Sequence, residues 1–283
     1  MRARVLILFS GLCFATTGTA QALGPDSAPS MGVATVRLIV GAITLIVFSS
    51  VTTHGVGKSS RRYVSHVQWW VAGGAMALYG ATFFAAVRST GVAIGTVVAL
   101  GSAPIFTGGL GYALRSITPT RKWILSTAGS IAGITLIVVT GTSSKVNVVG
   151  VVLALGAGFG YAAFALASKE IMSSGVRAEV AMARVFLISA FLMSPALMFV
   201  DNSWLFTARG VAIALWLGIV TIAIAYIAYS IGLRSLHANE ATTLTLIEPV
   251  MATVLGALVL AERPSHLAWI GVALVLLSLS FGS

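Results

Sequence analysis

The chain holds 283 residues, 58% of them hydrophobic and 8% charged, with a net charge of +10 and a mean hydropathy of +1.00. Soluble globular proteins are about 25% charged, so this inventory cannot cover a water-facing surface and excludes a soluble domain. The basic excess sits in short gaps between apolar runs, as orientation signals do, and no nucleic-acid partner is expected. The single cysteine, Cys13, excludes an internal disulfide and a multi-cysteine metal site. His54, His66, His237 and His266 all fall in or near gaps, so no metal centre is expected within the bilayer.

A bilayer-spanning helix takes about 20 mostly apolar residues. Runs of that kind occupy 5–23, 30–51, 68–87, 91–114, 122–140, 147–168, 179–200, 209–231, 239–261 and 265–281. Gaps such as GPDSAP (24–29), THGVGKSSRRYVSH (53–66) and VDNSW (200–204) carry turn and polar signals. The alternating ten-residue segments of a β-barrel are absent from the sequence. The fold class is therefore all-α, a polytopic membrane protein with the bilayer as its surroundings.

The first run has a basic start, an apolar stretch and an A-x-A end at Ala20, Gln21 and Ala22, the marks of a signal peptide. It also has a partner later in the chain. Val5, Leu8, Gly11 and Phe14 fall opposite Gly150, Leu153, Gly156 and Phe159 at a shift of 145, so it is read as the first membrane helix. In the second run Arg37 matches Arg184 of the seventh at a shift of 147. Arg88-Ser89 after the third run match Arg234-Ser235 after the eighth, and Phe83 matches Tyr229, each at 146. Pro104 falls on Pro249 and Pro119 on Pro264 at 145. Residues 1–144 and 145–283 thus form an approximate tandem of five helices each. Five is odd, so the second copy enters the membrane from the opposite side: ten transmembrane helices as two inverted five-helix repeats around a central cavity.

Counting Lys and Arg sets the orientation. With the N-terminus inside, eleven lie inside (Arg2, Arg4, Lys58, Arg61, Arg62, Arg115, Arg121, Lys122, Lys169, Arg177 and Arg234) and four outside (Arg88, Lys145, Arg209 and Arg263). Both termini are expected in the cytoplasm, with the chain in the cell inner membrane.

Three pieces carry a family resemblance: an arginine followed by small and apolar residues in each half (Arg37, Arg184), ALGSAPIF at 99–106, and LTLIEPVMATVLGALVLAERP at 244–264. In the last, Glu248-Pro249 precede a Leu-Ala-Glu-Arg-Pro in which Glu262 follows Glu248 by fourteen residues. The chain resembles the EamA-type ten-helix exporters of the drug/metabolite transporter superfamily, among them the exporters of amino acids, including aromatic ones. It departs from them at LRSITP (114–119), where a glutamate is usual. The resemblance implies a non-enzymatic transporter of small molecules.

Glu248 is the residue hardest to reconcile with lipid. An ionised carboxylate at the bilayer centre costs about 2.5–3.5 kcal/mol on insertion scales. On a helix it shares a face with Leu244, Thr245, Ala252 and Gly256, which suits a cavity or a close helix contact. Substrate or proton handling and a structural role both remain open to it. Pro249 and its mate Pro104 would bend two helices at equivalent places in the two halves, a pointer to a transport site, or serve packing alone. Tyr79, Phe83, Tyr161, Phe164, Tyr226 and Tyr229 are candidate walls for an apolar or aromatic substrate, with packing as the commoner use of such rings. Trp69, Trp70, Trp123, Trp204 and Trp269 stand at run edges and are expected at the membrane interface. Arg37 and Arg184 could snorkel, form a salt bridge or meet a substrate carboxylate. GxxxG patterns at 91–95, 129–133 and 156–160 favour close helix approach. GAGFG at 156–160 is dismissed as a phosphate loop because no strand precedes it.

The expectation is a monomeric secondary transporter, without a cofactor, that exports amino acids or similar metabolites by alternating access. Helices 1, 3, 4, 6, 8 and 9 would line its cavity, and Glu248 would carry a proton if export is proton-coupled. A sugar-phosphate, nucleotide-sugar or drug transporter of the same fold is the alternative. Sugar phosphates call for more basic residues than the spans hold. A membrane-embedded enzyme or lipid-handling scaffold would need a nucleophile–base pair or metal ligands that the spans lack.

Overall fold

The computed structural model describes residues 1–53, 64–115, 118–139 and 147–281. His54, Lys58, Arg61, Arg62 and Lys145, used above in the charge and histidine readings, lie outside those residues, as do two positions of the LRSITP motif.

The described residues form ten long helical segments, α1 (Arg2–Ala22), α2 (Ser30–Thr53), α3 (His66–Gly91), α4 (Ile94–Leu114), α5 (Arg121–Val139), α6 (Val148–Ser173), α7 (Ala178–Phe199), α8 (Ala208–Ser235), α9 (Ala238–Val259) and α10 (His266–Phe281), with a short 3-10 helix, Ser203–Phe206, between α7 and α8. All but α5 and α10 are long and apolar enough to cross a membrane by length and composition, and α10 is a shorter apolar helix. Ile43, Val47, Val51, Phe191, Leu258 and Leu277 are exposed, side chains that a bilayer would cover and water would not.

Local chemistry sets the helix ends. Asn147 Oδ1 accepts from the N–H of Val149 at 2.9 Å and of Gly150 at 3.2 Å at the start of α6, while Thr207 Oγ1 accepts from Gly210 N–H at 3.0 Å and starts α8. Gly91, at φ 85°, separates α3 from α4, and Gly175, at φ 86°, ends the turn after α6; both need the left-handed region that glycine enters freely. The last turn of α7 winds into a 3-10 helix, Ser194–Phe199, with Pro195 near its start. Within α8, Ile219–Ile224 forms a π-turn.

Packing follows an exchange pattern. α1 packs on α8 and α9, while α6 packs on α3 and α4; α2 packs on α7, and α5 on α10. The α5–α10 pair is antiparallel. Gly129 faces Ser278, Gly133 faces Val275 and Gly271, and Ile137 faces Gly271, so numbers rise along one helix as they fall along the other. Ser126 Oγ donates to Ser278 O at 2.7 Å across the same contact. Of the GxxxG patterns, 129–133 makes this crossing and 156–160 meets α3 and α4.

Two tryptophans depart from the interfacial expectation. Trp69 is 7% exposed and Trp204 1%; each packs in a hydrophobic cluster inside the bundle. Trp70 and Trp269 are exposed.

Candidate functional site

The inside of the bundle holds a cavity of about 300 Å³, large enough for one small metabolite. Its walls come from the C-terminal half of α1 (Phe14, Thr17, Gly18, Gln21), the first half of α2 (Ser30, Arg37), the end of α3 (Tyr79, Phe83, Phe84, Val87) and the start of α4 (Thr96, Leu100). Tyr161 of α6, Thr221 and Tyr226 of α8, and Thr245, Glu248 and Ala252 of α9 complete it. The cavity therefore occupies the half of the bundle toward the α1–α2 and α3–α4 connections. Two more voluminous grooves, about 440 Å³ and 480 Å³, lie between α1, α8 and α9 and between α4 and α5. Their linings are largely apolar, as lipid-facing grooves are.

The α9 segment explains how Glu248 is placed. The helix runs from Ala238 to Leu244, breaks at Thr245 and Leu246, and resumes over Ile247–Val259. Pro249 lies in the first turn of the resumed helix, where its missing N–H costs nothing. The Thr245 carbonyl, which a residue at 249 would have bonded, accepts instead from Glu248 N–H at 2.9 Å. Glu248 thus starts a helix inside the bundle, with its side chain on the cavity. Pro104 sits instead within an unbroken helical segment and is buried. The two mates differ in local structure.

Across the cavity Arg37 reaches the same space from α2. Its guanidinium carbon lies 5.8 Å from the centroid of the Phe84 ring, a cation–π distance. Its Nε is buried with no hydrogen-bond partner among the described residues. No salt bridge between Arg37 and Glu248 is seen among those residues. One cation and one carboxylate therefore face a common cavity without neutralising each other through contact.

The remaining wall is aromatic. Tyr79 lies 5.5 Å from Tyr161 and 5.7 Å from Phe83, ring centroid to centroid. Tyr226 packs 4.9 Å from Phe14 and 4.6 Å from Phe186. Phe164 and Tyr229 stand behind this layer, both fully buried, with their rings 6.2 Å apart.

Of the residues singled out from sequence, the structure brings Tyr79, Phe83, Tyr161, Tyr226, Glu248 and Arg37 to one cavity. Tyr229 is placed outside its lining, and Arg184 lies with its guanidinium carbon 5.0 Å from the Trp69 ring centroid. The lining also includes α2, which the sequence reading left out. Thr17, Gln21, Thr96 and Thr221 were missed as well, while Thr245 and Ala252, placed on the Glu248 face from sequence, do line the cavity. Phe14, Thr17, Gly18 and Gln21 recur at one-helix-face spacing, a signal that was available. Nothing in the sequence marks the π-turn that carries Thr221.

The EamA-like transporter family model matches the chain twice, over residues 1–139 and 148–282. The chain is 36% identical over 279 residues to YwfM, an uncharacterized transporter of Bacillus subtilis (strain 168), covering 97% of this chain and 91% of that protein. A protein known from a crystal structure superposes with a TM-score of 0.83 over 99% of this chain and 96% of its own, at 20% identity, a likeness in fold. With nearly its whole length accounted for in two family segments, the chain belongs to the EamA-like transporter family of the drug/metabolite transporter superfamily.

Proposed function

We propose that this transporter exports amino acids, aromatic ones among them, across the inner membrane by alternating access. The observation that carries the reading is the pairing of Arg37 and Glu248 on one aromatic-walled cavity without a salt bridge between them. A zwitterion presents a carboxylate and an ammonium a few ångströms apart, which is the complement of that arrangement. Arg37 offers a planar donor fork to the carboxylate, and Glu248 accepts from the ammonium. Tyr79, Phe83 and Tyr226 offer ring faces to the side chain. A sugar phosphate would put a doubly charged group beside a single arginine and a carboxylate, a poorer match.

The architecture proposed with it is ten bilayer-crossing helices in two inverted repeats, 1–144 and 145–283, with both termini cytoplasmic and a monomer as the working unit. The double family match and the exchange pattern of helix packing support a repeat, and the antiparallel run of α5 against its mate α10 supports its inversion. A repeat of the same orientation would set mates parallel.

Counterflow in proteoliposomes tests the substrate. Vesicles loaded with a panel of unlabelled amino acids receive each labelled counterpart, with Glu248→Gln beside wild type. Exchange of one class, lowered at least about tenfold in the variant as expected for a lost charge-assisted contact, supports the reading. No exchange of any amino acid would refute it.

A further inference from the structure

The half of the bundle away from the cavity is closed where α6 meets α8. Near the end of α6, Lys169 Nζ donates to Leu233 O at 2.7 Å, to Arg234 O at 2.8 Å and to Leu236 O at 2.9 Å. All three ammonium protons are used. The acceptors are carbonyls that a helix C-terminus leaves without intrahelical partners, at the negative end of its dipole. A static cap would account for that contact alone, but two other features of the seam point further.

Ser168 Oγ on α6 is buried with no hydrogen-bond partner among the described residues. Tyr161 and Tyr229 pack with ring centroids 6.2 Å apart, and Ser168 lies two turns along the Tyr161 face of α6, beside Lys169. A contact that stays shut pairs its hydroxyls or does without them. A hydroxyl left without a partner, as at Ser168, gains one when water enters.

The seam also has a mate. At shifts of 145 and 146 the α6–α8 pair corresponds to α1–α3, with Gly24 in the place of Lys169 and Arg88-Ser89 in the place of Arg234-Ser235. At that end Thr17 and Gln21 of α1 and Phe83 and Val87 of α3 line the cavity. One seam of the pair is shut and carries a lysine; the other lines the cavity, and the repeat puts in the lysine's place a glycine that lies beyond the end of α1.

We propose that Lys169 is the latch of an inner gate between α6 and α8. Transport breaks its three bonds as that seam parts and the α1–α3 seam closes. The latch weights the protein toward the state open at the α1–α3 end. Lys169 is a positioning residue here, since it acts on helices and touches no substrate. The inference rests on the alternating-access part of the proposed function and is independent of the amino-acid assignment.

Thiol accessibility in detergent tests it without any substrate. With Cys13→Ala as background, Ser168→Cys reports the closed seam and Thr17→Cys the cavity, each read as its alkylation rate with N-ethylmaleimide. Lys169→Met is expected to speed S168C by about tenfold, the worth of roughly one charge-assisted hydrogen bond, and to slow T17C. Lys169→Arg, which can still donate to the carbonyls, is expected to restore the original pattern. Unchanged S168C reactivity in K169M would overturn the proposal. A joint rise at both probes would overturn it too, since that reports loss of fold rather than a shift between states. Failure of amino-acid counterflow with these opposed changes intact would overturn only the substrate assignment.

Discussion

The three glycines of GAGFG make a sharp test of how α6 is seated. A Cβ at Gly160 would stand 2.8 Å from Ala75 O and 2.9 Å from Tyr79 N, and one at Gly158 would stand 2.8 Å from Ala99 O and also strike Ser102 Oγ. At Gly156 the nearest atoms belong to Thr82 and lie 3.6–3.8 Å away, ordinary contact. Backbone cannot rotate aside as a side chain can, so Gly160→Ala must push α6 off α3 by several tenths of an ångström. Overpacking of that kind costs about 2–3 kcal/mol. The better helix propensity of alanine offsets about 1 kcal/mol, leaving Gly160→Ala about 1–2 kcal/mol less stable. Gly158→Ala should fall in the same range, while Gly156→Ala should be neutral or about 1 kcal/mol more stable. Because the displaced backbone at Gly160 belongs to Tyr79, that variant should also weaken substrate affinity. Thermal unfolding in detergent, followed by the surviving monodisperse fraction, ranks the three. Equal melting points, or Gly156→Ala as the least stable, would refute the packing described for α6.

Trp123→Phe replaces the indole with a smaller phenyl ring and removes the Nε1–H that bonds Asn239 O and Thr243 Oγ1, both at 3.0 Å; a loss of at least about 1–2 kcal/mol is expected in the same assay. Glu240→Gln breaks the 3.7 Å pair with Arg4, whose side chains are 34% and 32% exposed. Its effect should stay within about 0.5 kcal/mol, and a larger loss would mean that this pair, rather than Lys169, holds the closed end.

Length and hydropathy made the helices readable, because a bilayer demands both at once. The first run was recognisable as a helix of the bundle through its mate at residues 150–159, and α1 indeed forms a wall of the cavity. The break in α9 was half legible. Pro249 advertised it, but the same residue type at 104 leaves helix on both sides, because a proline's effect depends on where the turn begins. Trp204 was misplaced because an apolar ring beside a polar gap looks interfacial in one dimension. Only the fold shows Val33, Val36 and Leu217 packed over it. Arg37 and Arg184 were indistinguishable in sequence, and the structure separates them through their neighbours: Arg37 meets the cavity and Arg184 meets Trp69. Lys169 was counted only as an inside charge, since a contact with carbonyls 64–67 residues away leaves no local pattern.

The most direct measurement is binding of a zwitterion and of its two half-blocked forms to the purified protein by calorimetry. The panel is an aromatic amino acid, its methyl ester and its N-acetyl derivative, each against wild type, Arg37→Gln and Glu248→Gln. Wild type should bind the free amino acid at least about tenfold more tightly than either derivative, one charge-assisted contact being worth that much. Arg37→Gln should lose the discrimination against the ester, and Glu248→Gln that against the N-acetyl form. Equal affinity for all three ligands in wild type, or the same loss in both variants, would contradict the assignment of Arg37 to the carboxylate and Glu248 to the ammonium.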